Sequence, residues 1–88
     1  MMKFLTNELL EQLSSFENNI QHNKFNSVVI NFIKEKIILN NSLKPKTKLV
    51  YISNIYRNIQ DLQIDKKFNL SIKVINSAVN KLKISNNL

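Results

Sequence analysis

Five polar side chains near the C-terminus have types and spacing that could contact nucleic acid. They lie in the segment NLSIKVINSAVNKLKI, residues 69 to 84, and are Lys73, Asn76, Ser77, Asn80 and Lys81. Asn can form two hydrogen bonds with adenine, Lys can donate to guanine or to phosphate, and Ser can contact either. The same residue types also cover ordinary helix faces. The set is therefore compatible with a base-reading surface and with a plain solvent-facing or protein-contacting one.

Two groups of lysines precede this segment and could bind phosphate. The first group alternates around the single proline and consists of Lys44, Lys46 and Lys48. The second group lies just before the segment and consists of Lys66 and Lys67. In a helix-turn-helix arrangement both loops can lie beside the final helix, and phosphate contacts commonly come from such places. Charge runs of this kind are otherwise simply solvated.

The distribution of charge along the chain is uneven. Residues 1–33 hold two lysines against three glutamates, a net charge of −1, whereas residues 34–88 hold eleven basic and three acidic residues, a net charge of +8. Asn, Ile and Lys, which have A/T-rich codons, number 15, 12 and 12. Codon bias should act along the whole chain, so the asymmetry favours a C-terminal part that faces a polyanion.

Residues for catalysis are few. His22 is the only histidine and falls in a predicted loop, while Asp61 and Asp65 lie across a predicted helix end, where turn hydrogen bonds are their ordinary role. The chain has no cysteine and no glycine, so it has no thiolate site and no glycine-rich phosphate loop. We therefore expect a protein that is not an enzyme, with no metal site and no cofactor.

The hydrophobic pattern predicts four helices that would position these residues. Without glycine, and with Pro45 alone, turns must be made by Asn, Ser, Asp or Lys, which favours helices joined by open loops. The predicted ranges are 7–20, 26–39, 50–62 and a last helix after the cap Ser71, with loops at 40–48 and 63–69. The first is striped by Leu9, Leu13, Phe16 and Ile20.

The second helix is apolar on nearly all sides, which indicates a central, buried position. The segment KTKLVYI could be extended before the third helix, in which Ile52, Ile55, Tyr56 and Ile59 recur at helical spacing. Ile64 and Phe68 should turn inward from the second loop. In the last helix Val74 belongs to the apolar side.

These elements predict an all-α fold of a single domain, residues 1–88. The domain would contain four helices. The last three, within residues 26–84, would form a helix-turn-helix core. Residues 1–24 would hold a helix that packs across this core, or that protrudes to bind a partner or a second copy in a homodimer.

Three stretches, VVINFIKEKI, KTKLVYISNIYRNIQ and FNLSIKVINSAVNKLKI, together resemble a known domain. The matching positions are Val29, Phe32, Ile33, Glu35, Ile52, Tyr56, Leu70 and Ser71. In this pattern the chain resembles the C-terminal winged-helix domain of poxvirus-type primase-helicases and of related virus and plasmid replication proteins. Ile59 stands where that family has a tryptophan, and Leu82-Lys83-Ile84 lacks its glycine.

The resemblance implies a small DNA-binding helix-turn-helix module of viral or plasmid origin, acting in replication or transcription regulation. It implies no ATPase or primase activity, and we expect the β-hairpin wing to be missing. No apolar run is long enough for a membrane span, and the N-terminus becomes polar too early for a signal peptide. Because the chain has no cysteine, we expect an intracellular location, in the cytoplasm or nucleus of a host cell. The alternatives are a protein-binding adaptor or inhibitor that uses the N-terminal helix, and a structural subunit of an RNA–protein assembly.

Overall fold

Helices form most of the chain that the computed structural model describes, which is residues 2–15 and 24–88. They are α1 (Met2–Ser15), α2 (Lys24–Ile33), a π-helical turn (Lys34–Ile38), α3 (Pro45–Asp61), α4 (Ile64–Lys67) and α5 (Ile72–Ser85). No strand occurs within these described ranges. The predicted all-α class is confirmed.

One hydrophobic core joins all of these elements. The described helices each contribute side chains that are buried, and the segment between α4 and α5 adds one more. The members are Leu9, Leu13, Phe25, Val29, Phe32, Ile33, Ile37, Ile38, Ile52, Ile55, Ile59, Ile64, Phe68, Ile75 and Val79. Removing this apolar surface from water is the main source of stability for a chain of this size.

The second helix occupies the centre of the domain, as its apolar pattern predicts. α2 contacts both α1 and α5 and continues without a break into the π-helical turn. There the amide of Leu39 donates to the carbonyl of Lys34, five residues earlier, at 2.9 Å. Ile37 and Ile38, at the end of this wider turn, both lie in the core.

The first helix begins earlier than the pattern predicts. α1 starts at Met2 instead of residue 7, and Thr6, which is 3% exposed, lies inside it. The Oγ1 atom of Thr6 accepts a hydrogen bond of 2.8 Å from Nδ2 of Asn58 on α3. Leu9 and Leu13 are buried, while Phe16, Ile20 and His22 lie outside the described residues.

The prediction for the start of the third helix is wrong. KTKLVYI is helical, because α3 begins at Pro45, and Lys44 before it is extended with φ −74° and ψ 154°. Proline favours the first position of a helix, where a missing N–H costs nothing, and it holds the preceding residue extended. Both effects of Pro45 therefore act at one helix start.

The second predicted loop contains a single helical turn, α4. Gln63 enters it with φ 55°, in the left-handed region, and Asn69 leaves it with φ 54°. Ile64 and Phe68 are both buried, as predicted, and the ring centroid of Phe68 lies 5.3 Å from that of Phe25 on α2. The turn thus brings the approach to α5 against the first turn of α2.

Ser71 caps α5 as predicted, since its Oγ accepts a hydrogen bond of 3.3 Å from the amide of Val74. Its own amide donates to Oδ1 of Asn26, at 2.9 Å, in the first turn of α2. The N-termini of α2 and α5 therefore meet, and α5 also contacts the π-helical turn that follows α2. The two helices run side by side in the same direction.

Candidate nucleic-acid interface

The predicted base-reading residues all lie on the outer face of α5. Ile75 and Val79 are fully buried and fix this helix against the core. The residues on its opposite side are exposed, and they are Lys73, Asn76, Ser77, Asn80 and Lys81.

A groove runs between α2 and α5 and gathers three of these residues. It has a volume of about 750 Å³, and α5 lines it with Lys73, Ser77 and Lys81. From the opposite side, α2 contributes Asn31 and the first residue of the π-helical turn contributes Lys34. Three ammonium groups therefore border one concave surface, and no Asp or Glu is among its lining residues.

The two asparagines do not line this groove. Asn76 and Asn80 are one helical turn apart, about 6 Å along the axis at 1.5 Å per residue. The exposed face of α5 therefore has two strips. One carries lysine and serine and borders α2, and the other carries the two amides.

Two features of the groove are not evident from the sequence. Lys34 is the first residue of the charged triplet Lys34-Glu35-Lys36, and it lies one helical turn from Ile30 on the side that borders the groove. Val74 is predicted to be apolar and inward, but it is 52% exposed in the groove. The i, i+4 relation of Ile30 and Lys34 is the one signal that could have placed the lysine.

The first lysine group divides into two kinds of side chain. Lys44 and Lys46 are exposed at the start of α3. Lys48 is half-buried, and its Nζ donates a hydrogen bond of 2.7 Å to the carbonyl oxygen of Ile38. This bond joins the first turn of α3 to the end of the π-helical turn, so the Lys48 ammonium is engaged within the fold.

The second lysine group lies at the opposite end of α2. Lys66 and Lys67 are exposed on α4, and Nζ of Lys67 lies 5.3 Å from the ring centroid of Phe68. Phe68 packs on Phe25 near the start of α2, whereas Lys48 reaches Ile38 at the far end. These two points are about 20 Å apart along the helix. The lysine groups thus lie towards the two ends of α2 and do not form one cluster.

Other polar groups lie away from this groove. Glu8 on α1 forms an ion pair with Lys36, with the two charged atoms 3.7 Å apart and both side chains half-exposed, where such pairs add little stability. Asp61 lines a smaller groove of about 330 Å³ that α1 and α3 border. Across the described ranges, no three His, Cys, Asp or Glu side chains are grouped to hold a metal ion.

Tyr56 belongs to the core side of α3. Burial disfavours the phenolate and raises the pKa of Tyr56 to about 12. The hydroxyl oxygen is buried, and it has no hydrogen-bond partner in the described part of the chain. A side chain held this way packs against the protein interior and is not presented to a stacked base.

No family model, curated protein or solved structure matches this chain. In the described residues, no helix is both long enough and apolar enough to cross a membrane.

Proposed function

We propose that this protein binds nucleic acid, with duplex DNA as the preferred ligand, and that α5 is the helix that contacts the bases. The observation that carries the proposal is the groove border, where Lys34, Lys73 and Lys81 surround a surface without a carboxylate. Phosphate neutralisation by such lysines supplies most of the affinity of sequence-independent binding.

The dimensions of α5 suit this role. Its 14 residues extend for about 21 Å, and a major groove about 12 Å wide admits an α-helix. In this arrangement Asn76 and Asn80 face base edges, where an amide can bond adenine. Lys73 and Lys81 lie at the edge nearer α2 and contact phosphate or guanine.

The lysine groups near the two ends of α2 extend the proposed contact. Lys66 and Lys67 precede α5, and Lys44 and Lys46 lie towards the other end, so each pair is a candidate for phosphates beyond the ends of the reading helix. α2, α3 and α5 then act as the helix-turn-helix core, with α4 in the connection before α5. The resemblance to replication proteins supports a role in replication or transcription control of a viral or plasmid genome.

Salt-dependent binding to labelled duplex DNA tests the proposal. We expect fluorescence anisotropy with a random duplex of about 20 base pairs to give binding at about 50 mM salt that weakens steeply by about 200 mM. Lys73→Gln with Lys81→Gln should weaken binding about tenfold and flatten the salt dependence.

Lys36→Gln is the matched control for charge, because Lys36 is exposed and pairs with Glu8 outside the groove. Compared with Lys73→Gln, it removes the same charge and should change affinity little. Absence of binding at the lower salt concentration would exclude the proposed function. An equal loss from Lys36→Gln and Lys73→Gln would show that α5 is not the contacting helix.

A further inference from the structure

The groove between α2 and α5 has an apolar floor, and phosphate contacts by the lysines at its border do not involve these side chains. Ile30 of α2 and Val74, Ala78 and Leu82 of α5 lie between its lysine borders. Val74 is more than half exposed, unlike Ile75 and Val79, which are the buried apolar residues of α5. Exposed apolar surface with a polar rim is typical of a binding site for a partner.

The shape of the groove suits a helix better than a small molecule. It is open to solvent along its length, whereas sites for small ligands bury most of the ligand surface. From Lys73 to Ser85 the floor extends for about 18 Å, the length of about 12 helical residues. α2 and α5 lie side by side, so a third helix could lie over the seam between them, as amphipathic helices do in hydrophobic grooves.

The charge of the rim determines what kind of helix this would be. Lys34 borders one side, and Lys73 and Lys81 border the other, about 12 Å apart along α5. Carboxylates two turns apart on the flank of an incoming helix would match Lys73 and Lys81. We infer that the groove binds an acidic amphipathic helix of a partner protein, with its apolar stripe on Val74 and Ala78 and its carboxylates beside the three lysines.

A second copy of this chain is a poorer candidate for this acidic amphipathic helix. The leucine stripe of its own acidic helix, α1, is used in the core, since Leu9 and Leu13 are fully buried. This peptide site does not require that the protein bind nucleic acid, because its apolar floor takes no part in phosphate contacts. The two ligands would share Lys73 and Lys81 and would therefore compete.

A synthetic peptide can test this site directly. The probe is a labelled helical peptide of about 14 residues, with leucines at i, i+3, i+4 and i+7 spacing and glutamates on both flanks. With the full chain we expect saturable anisotropy and amide shift changes in NMR spectra at Asn31 and Ser77. A peptide with lysine in place of every glutamate should bind at least about tenfold more weakly.

Substitutions in the protein then separate the floor from the rim. Val74→Ser should weaken peptide binding about fivefold and leave DNA binding unchanged, while Val50→Ser on α3, at a valine 55% exposed outside the groove, should change neither. Lys34→Gln should weaken peptide binding by a similar factor. The inference is overturned by the absence of saturable binding at millimolar peptide, by equal affinity for the lysine peptide, or by an unchanged affinity in Val74→Ser.

Discussion

The buried hydroxyl of Tyr56 weakens the core in which it lies. A hydroxyl taken out of water without a hydrogen-bond partner costs about 1–3 kcal/mol, and the described residues provide no partner for this one. The aromatic ring offsets this cost, because it packs against the core cluster that α3 helps to form.

Tyr56→Phe should therefore raise the free energy of unfolding by about 1 kcal/mol at neutral pH. The substitution keeps the ring and removes only the oxygen atom, and urea unfolding followed by circular dichroism measures the change. Tyr51→Phe is the control, since the hydroxyl of half-buried Tyr51 is not among the buried atoms that lack a partner. A lower stability in Tyr56→Phe would mean that this oxygen is hydrogen-bonded.

The pKa of Tyr56 also predicts a dependence of stability on pH. In the unfolded chain Tyr56 ionises near its ordinary pKa of 10.0, whereas the folded protein holds the proton to about 12. The unfolded state therefore gains free energy from ionisation between these values, and stability falls as pH rises through them. The difference in unfolding free energy between Tyr56→Phe and the native protein should be constant below pH 10 and increase above it. A difference that stays constant up to pH 12 would contradict this assignment.

At the scale of helices, Lys48 joins two elements that the chain separates by a loop. Lys48→Met keeps the aliphatic stem and removes the donor to the Ile38 carbonyl, so the free energy of unfolding should fall by about 1–2 kcal/mol. Lys46→Met removes the same charge from an exposed position of α3 and should change stability by less than about 0.5 kcal/mol. Urea unfolding of both variants tests this, and equal effects would show that the bond adds no stability.

Helical spacing placed the interiors of the helices correctly and their ends less well. Ile52, Ile55 and Ile59 are all buried as their period predicts, because the stripe that faces the core is a property of neighbouring residues. The start of α3 does not follow from hydrophobic spacing, because its first residues, Pro-Lys-Thr-Lys, include no apolar stripe. Pro45 is the local signal for it, since proline suits the first position of a helix.

The groove could not be predicted in the same way, since it depends on how two helices meet. The pairing of α2 with α5 includes a hydrogen bond between Asn26 and Ser71, which are 45 residues apart in the chain. The period of α5 places Val74 at the edge of its apolar side and Ile75 near the centre, but it does not show that α2 leaves Val74 exposed. The exposed side of α5 follows from its helical period. That Lys34 lies opposite this side depends on the packing of the two helices.

At the scale of the whole molecule, α1 is part of the core. It packs against α2 and α3, and its leucine stripe is closed off from solvent. The alternative in which the N-terminal helix binds a partner or a second copy would thus have to use its exposed side, which carries Glu8 and Glu11. Residues 16–23 lie outside the described ranges.

Leu13→Ala should lower the free energy of unfolding by about 3 kcal/mol, because it leaves a cavity in a side-chain cluster that is fully buried. A domain of this size has about 5–15 kcal/mol in total, so the melting temperature should fall clearly. Leu62→Ala, at a leucine 60% exposed beyond the end of α3, should have little effect. Thermal unfolding of the two variants makes the comparison, and a small loss for Leu13→Ala would place α1 outside the cooperative unit.

The π-helical turn makes residues 34–38 a place where the chain can change length. In an ordinary α-helix, deleting one residue rotates everything beyond it by about 100° and turns buried side chains towards water. Here the turn already contains one residue more than an α-helical turn. Loss of exposed Glu35 would let the regular helix close while the residues on both sides keep their orientation. The π-helical turn thus holds one residue more than a regular helix would need there, and we expect deletion of Glu35 to leave the core in place.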